Sequence, residues 1–88
     1  VKGLENLTQL RRLELRRNKL TEVKGLEKLT QLTNLDLYYN RLTDVKGLEK
    51  LTQLRKLELS LNPALTKAQI DQLQKALPDC KINSNPTK

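Results

Sequence analysis

The phrase V-K-G-L-E-x-L-T-Q-L begins at Val1, at Val23 and again at Val45, so the chain repeats itself with a step of 22 residues. A fixed step of this size admits few folds. Each copy is too short to bury its own apolar side and gains a core only by stacking on the next, which is the condition for a solenoid. Within one step the apolar positions are Val23, Leu26, Leu29, Leu32, Leu35, Leu37 and Leu42. Leu35 and Leu37 alternate as on a half-buried strand, whereas Leu26, Leu29 and Leu32 recur every three residues, as in a tight helical turn. Each repeat is therefore expected to be a short strand followed by a compact return.

The 88 residues make one domain of a size whose core supplies only about 3 to 5 kcal/mol of net stability. With no Phe, Trp or Met, that core must be leucine, packed densely because every coil offers the next the same shape. Seventeen basic and ten acidic residues give a net charge of +7. That balance is compatible with nucleic acid, anionic glycan or an acidic protein surface as partner, although interspersed signs weigh against nucleic acid. No apolar run approaches the roughly 20 residues of a membrane helix, and no signal-peptide pattern opens the chain. The start at Val1 without Met raises the expectation of a processed or excised piece, and the cellular compartment stays open.

The chain has no histidine, and Cys80 is its sole cysteine. An intramolecular disulfide, a Cys/His zinc set and a His-based triad are thereby excluded. Cys80 reads as a small buried hydrophobe of a terminal cap, with a reactive or dimerising thiol as the alternative. There is no phosphate-cradling glycine loop and no nucleophile with a base at readable spacing, so neither enzyme activity, a cofactor nor a metal site is expected.

The segments L-R-R-L-E-L-R-R-N-K-L (10 to 20), L-T-N-L-D-L-Y-Y-N-R-L (32 to 42) and L-R-K-L-E-L-S-L-N-P-A-L (54 to 65) follow L-x-x-L-x-L-x-x-N-x-L, the third departing from it after Asn62. They resemble leucine-rich repeats. With the 22-residue step and the L-T-Q-L return, the chain is similar to the bacterial internalin-like class over essentially its whole length. The resemblance implies an α/β solenoid with parallel strands on a concave face, short helical turns on the convex back, and a protein-binding role.

Asn18, Asn40 and Asn62 fall where the chain leaves each strand. An inward amide there can serve backbone groups cut off from water and form a ladder from coil to coil. Gly3, Gly25 and Gly47 open the convex turns, where a residue without Cβ relieves the bend. After Asn62 the pattern changes into a C-terminal cap over about 63–82. T-K-A-Q has capping-box spacing, so Thr66 is read as N-cap of a helix over about 67–77, with Leu65 and Ile70 as a hydrophobic staple. Cys80, Lys81 and Ile82 suggest one last strand, and 83–88 a frayed tail. At the other end Val1, Leu4, Leu7 and Leu10 have nothing before them to cover the first coil. A removed upstream segment, self-association through this edge, or a tolerated distortion would each account for that.

Residues two apart on a strand share a face, so the outward concave positions are Arg12, Glu14, Arg16, Asn34, Asp36, Tyr38, Lys56, Glu58 and Ser60. Positions 11, 17, 33, 39, 55 and 61 must flare outward, because strict alternation would bury Arg11 and Arg17 unpaired. The acidic middle row of Glu14, Asp36 and Glu58 reads as a charge lattice offset by Arg12, Arg16 and Lys56, or as a strip for a basic partner or a cation. Five of the six arginines (11, 12, 16, 17, 55) lie on strand segments, while lysines 2, 24, 28, 46 and 50 lie on the turns. Arginine beside Tyr38 and Tyr39, the only aromatics, suits an interface. The leading expectation is a protein-recognition module with the two tyrosines as anchors. The alternatives are an anion binder for nucleic acid or glycan, and a structural or engineered scaffold without a dedicated ligand.

Overall fold

The computed structural model describes residues 6–84. Val1, Gly3 and Leu4 lie outside the described residues, as do positions 85–88. Four strands, β1 (Arg12–Glu14), β2 (Asn34–Asp36), β3 (Lys56–Glu58) and β4 (Lys81–Asn83), form one parallel sheet in chain order. Leu13, Leu35, Leu57 and Ile82 are in register across it. The first two steps are 22 residues, as the repeat requires. The last is 25, because the helix α1 (Lys67–Ala76) replaces the compact turn in the final crossover.

The turns are held by successive backbone bonds to the residue three back. Leu26, Leu29 and Leu32 donate to Val23, Leu26 and Leu29 at 2.9 to 3.1 Å, and Leu48, Leu51 and Leu54 repeat the pattern at 3.0 to 3.1 Å. This is why the leucines recur every three residues: one bond per step turns the same side inward. Gly25 and Gly47 start these turns at φ of 97° and 106°. Their conformation, not lack of room, requires glycine, since a Cβ at Gly47 would stay 3.6 Å from its nearest neighbour. The glutamate of each repeated phrase secures the same turn. Glu27 accepts Gly25 N at 2.8 Å, and Glu49 accepts Gly47 N at 2.7 Å. Amide bonds from its own backbone and from Gly25 hold the Glu27 carboxyl below the ordinary range against some desolvation, aided by Lys50 and Lys28.

Strand length is set at both ends. At the entering end the carbonyl of Arg11 accepts both Thr33 N (2.7 Å) and Asn34 N (3.1 Å), and Thr33 O does the same for Arg55 and Lys56. At the leaving end Arg17, Tyr39 and Leu61 adopt left-handed backbone, with φ of 60°, 61° and 61°. All three are exposed. The reversal of φ is what turns these positions outward where alternation would bury them.

Between the strands and the turns lies a core of leucines with two buried asparagines. Asn40 Nδ2 donates to Leu37 O of its own coil (2.9 Å) and Leu15 O of the coil before (3.0 Å), while its Oδ1 accepts Leu20 N. Asn62 does the same one coil on, with Leu59 O, Leu37 O and Leu42 N. The ladder thus runs from amide to backbone to amide. Among the described residues Asn18 serves Leu15 O and Arg16 O of its own coil, and it is exposed. Leu7 on the first coil is 47% exposed, and Leu10, Leu13, Leu15 and Leu20 are only partly buried.

The cap closes the other end. Thr66 Oγ1 accepts Gln69 N, Gln69 Oε1 accepts Thr66 N, and Gln69 Nε2 reaches Thr43 O at 3.0 Å, tying the helix to the second coil. Leu65 is buried and Ile70 packs against the same core. The helix stops at Ala76, and Gln74 Nε2 serves the carbonyls of Leu77 and Cys80. One expectation needs correction. Asn83 does not fray but completes β4, where its carbonyl accepts Leu59 N at 2.7 Å, and Ser84 O accepts Ser60 Oγ.

Removing a buried ladder amide orphans backbone groups at about 1 to 3 kcal/mol each, so Asn62→Ala should cost about 3 kcal/mol or more in urea unfolding. Asn18→Ala should cost under about 1 kcal/mol. An exposed arginine in left-handed backbone gives up about 1 kcal/mol, so Arg17→Asn should raise stability by roughly that amount. Burial pushes the Cys80 thiol up from its ordinary value. An unfolded thiol ionises near pH ~8.5, while the folded one stays neutral to higher pH. That contribution is therefore whole below about pH 8.5 and is lost as pH rises toward the folded value. Cys80→Ala should flatten the alkaline decline of the urea midpoint.

Candidate functional site

The outer face of the sheet carries side chains in rows that run across the coils. The register aligns Arg12, Asn34, Lys56 and Lys81 in one row and Glu14, Asp36, Glu58 and Asn83 in the next. Arg16, Tyr38 and Ser60 follow just past the strands. The nine positions expected from alternation therefore share one surface, and Tyr39 stands one residue beyond it on the rim. Lys81 and Asn83 join them. The tail reading had hidden Asn83, although K-I-N repeats the polar-apolar-polar order of the other strands.

Neighbouring carboxylates about 4.8 Å apart would repel by roughly 1 kcal/mol in water. Here each has a partner. Glu14 takes the guanidinium of Arg12 at 2.8 Å. Asp36 accepts Tyr38 N on Oδ1 at 3.0 Å and the Arg16 guanidinium on Oδ2 at 2.8 Å. Glu58 accepts Ser60 N on one oxygen and Asn83 Nδ2 on the other, at 2.9 and 3.3 Å. In two of the three coils the acid thus satisfies an amide two residues on, where the chain leaves the ladder. The recurrence of an acid at one repeat position was the signal for this; its backbone role was not foreseen.

Arg16 links the acidic row to the aromatics. Its Nε and a terminal nitrogen both bond Asp36 Oδ2, and its guanidinium carbon lies 5.2 Å from the Tyr38 ring centre. The Tyr38 and Tyr39 rings are 6.5 Å apart and tilted by 47°. Asp36 has only 20% of its side chain exposed, whereas Arg16 keeps 54%. The carboxylate fixes the guanidinium, and the guanidinium retains donors for something else. Lys56 makes no ion pair among the described residues.

A shallow depression in the middle of this face is lined by Arg12, Glu14, Arg16, Asn34, Asp36, Lys56, Glu58 and Asn83. The tyrosines and Ser60 lie to its side. Among the described residues no group of Cys, Asp or Glu is arranged to hold a metal ion. No helix among them is long and apolar enough to cross a membrane.

The family model for leucine-rich repeats in two copies matches residues 8–40 and 30–75. No curated protein matches significantly. Among solved structures, a leucine-rich-repeat protein of Leptospira interrogans is 34% identical over 91% of this chain, with a TM-score of 0.81. An internalin of Listeria monocytogenes is 27% identical over 97% of it, with a TM-score of 0.84. The chain spans 21% and 26% of the length of these two. Repeat motif, register and matches agree, and the chain belongs to the leucine-rich-repeat family, in its bacterial internalin-like form.

Proposed function

We propose that this domain is a protein-recognition module that receives its partner on the concave sheet. The observation that carries the reading is the Asp36–Arg16–Tyr38 stack, a pre-positioned cation and aromatic on a rigid strand face. Such a pair offers contact area and donors with little ordering left to do on binding. Arg12, Glu14, Asn34, Lys56, Glu58 and Ser60 supply the polar surround. Leucine-rich repeats are in general protein-interaction modules, which supports the same reading.

Anion binding for nucleic acid or glycan is the second reading, favoured by the net charge of +7. It requires affinity that falls steeply with salt, in proportion to the phosphates neutralised. The engaged carboxylates across the middle of the face argue against a polyanion lying there.

Affinity capture with this chain, followed by titration of the recovered partner against variants of this face, tests the proposal. Tyr38→Ala and Arg16→Glu should each weaken binding by about tenfold or more, about 1.4 kcal/mol. The urea midpoint should move little, since exposed ion pairs contribute only about 0 to 1 kcal/mol. Undiminished affinity in both variants would remove this face from consideration.

A further inference from the structure

Tyr39 and Leu61 occupy the same repeat position in adjacent coils and are 56% and 44% exposed. Tyr39 N donates to Ser60 O at 3.0 Å, so the two coils are locked together at this level. Their side chains leave the backbone about one strand spacing apart, ~4.8 Å. Arg17 holds the position one coil earlier, with its N–H on Tyr38 O at 2.8 Å. Folding by itself selects against this column. Left-handed backbone favours Gly or Asn, and a ring or isobutyl group left about half exposed gains only part of what burial can give. Among the described residues the one other exposed large hydrophobic is Leu7, on the first coil.

The chain's charge is concentrated on the strand segments, at whose leaving end this column stands. Positions 11–19, 33–41 and 55–61 hold eight cations and three anions, which is +5 of the net +7. The turn segments 21–31 and 43–53 hold four of each. The three anions are Glu14, Asp36 and Glu58, all engaged within the sheet. The surplus is therefore cationic and outward. Arg17 stands in the column, and Lys19 and Arg41 follow it two residues on. All three are exposed and make no ion pair among the described residues.

We infer that the lip formed by Arg17, Tyr39 and Leu61 is the docking stripe for an acidic peptide segment of a partner protein that carries an aliphatic or aromatic anchor. The anchor lies across Tyr39 and Leu61, and its flanking carboxylates meet Arg17, Lys19 and Arg41. This rests on the protein-recognition reading and narrows it, naming the partner's chemistry and the side of the sheet that it grips. Guanidinium groups suit carboxylates because their planar fork can bond both oxygens.

A displayed library of short random peptides, panned on the domain, provides the probe. Recovered peptides are then synthesised and titrated by fluorescence anisotropy against the wild type, Tyr38→Ala, and the double variant Tyr39→Asn with Leu61→Asn. The expected peptides carry Asp or Glu around a Leu, Phe or Trp, bind more weakly as salt rises, and lose at least about tenfold in the double variant. The urea midpoint of that variant should hold or rise, which separates lost recognition from lost folding. Peptides that weaken with Tyr38→Ala but ignore the double variant would sink the lip and leave the concave face standing. Peptides indifferent to both would sink the two together. Heparin and a single-stranded oligonucleotide serve as polyanion probes: binding as tight as the peptides, unchanged in the double variant, would overturn the apolar anchor.

Discussion

A parallel sheet joins its coils along one side only, and the buried amides of Asn40 and Asn62 join them again where the chain turns beneath the strands. Each sits within the leucine core and joins carbonyls of two successive coils while accepting an N–H from the earlier one. A chain that turns beneath its own strand leaves those groups with no route to water. The leucines give the coils a reason to stack, and the amides decide how they stack. The rest of the architecture depends on that spacing, including the alignment of side chains into rows on the outer face.

The two sides of the arc use charge differently. On the turns the repeated glutamates cap the amides of Gly25 and Gly47, and the surrounding lysines balance them, so that side is neutral and nearly invariant from coil to coil. On the strand side the acids are also occupied, but by backbone amides at the strand ends and by Arg12 and Arg16. That leaves the sheet with fixed anions and surplus cations. A net charge spread evenly would say little about partners; one gathered on the most variable surface says more.

Much of this was legible beforehand, for a physical reason. Stacking makes a sequence period into a spatial period, so the step between copies of V-K-G-L-E-x-L-T-Q-L gives the register of β1, β2 and β3 directly. The capping box at Thr66 and Gln69 and the inward asparagines could be read because their partners are local or recur by symmetry. What could not be read depends on the direction of single backbone groups. Alternation shows that positions 17, 39 and 61 must escape the core, but not that a positive φ achieves it. The row of Glu14, Asp36 and Glu58 looks like pure electrostatics until the amides of Tyr38 and Ser60 are seen to point at it. Asn83 was missed because the cap breaks the period, and with the period goes the means of placing a residue.

The equality of the first two crossovers has a consequence for how such a surface can change. The amide bridge that Asn40 makes to coil one is made again by Asn62 to coil two, and coils two and three each close on the same turn bonds and the same glutamate on glycine. A 22-residue unit is therefore interchangeable at its joints, and in-frame loss or duplication of one leaves every remaining joint with a matching partner. The cap, tied by Gln69 to Thr43 of the coil before it, needs only that its neighbour present this same turn. The extent of the concave face is thus a heritable quantity that recombination can alter in whole rows, independently of the point substitutions that alter its chemistry.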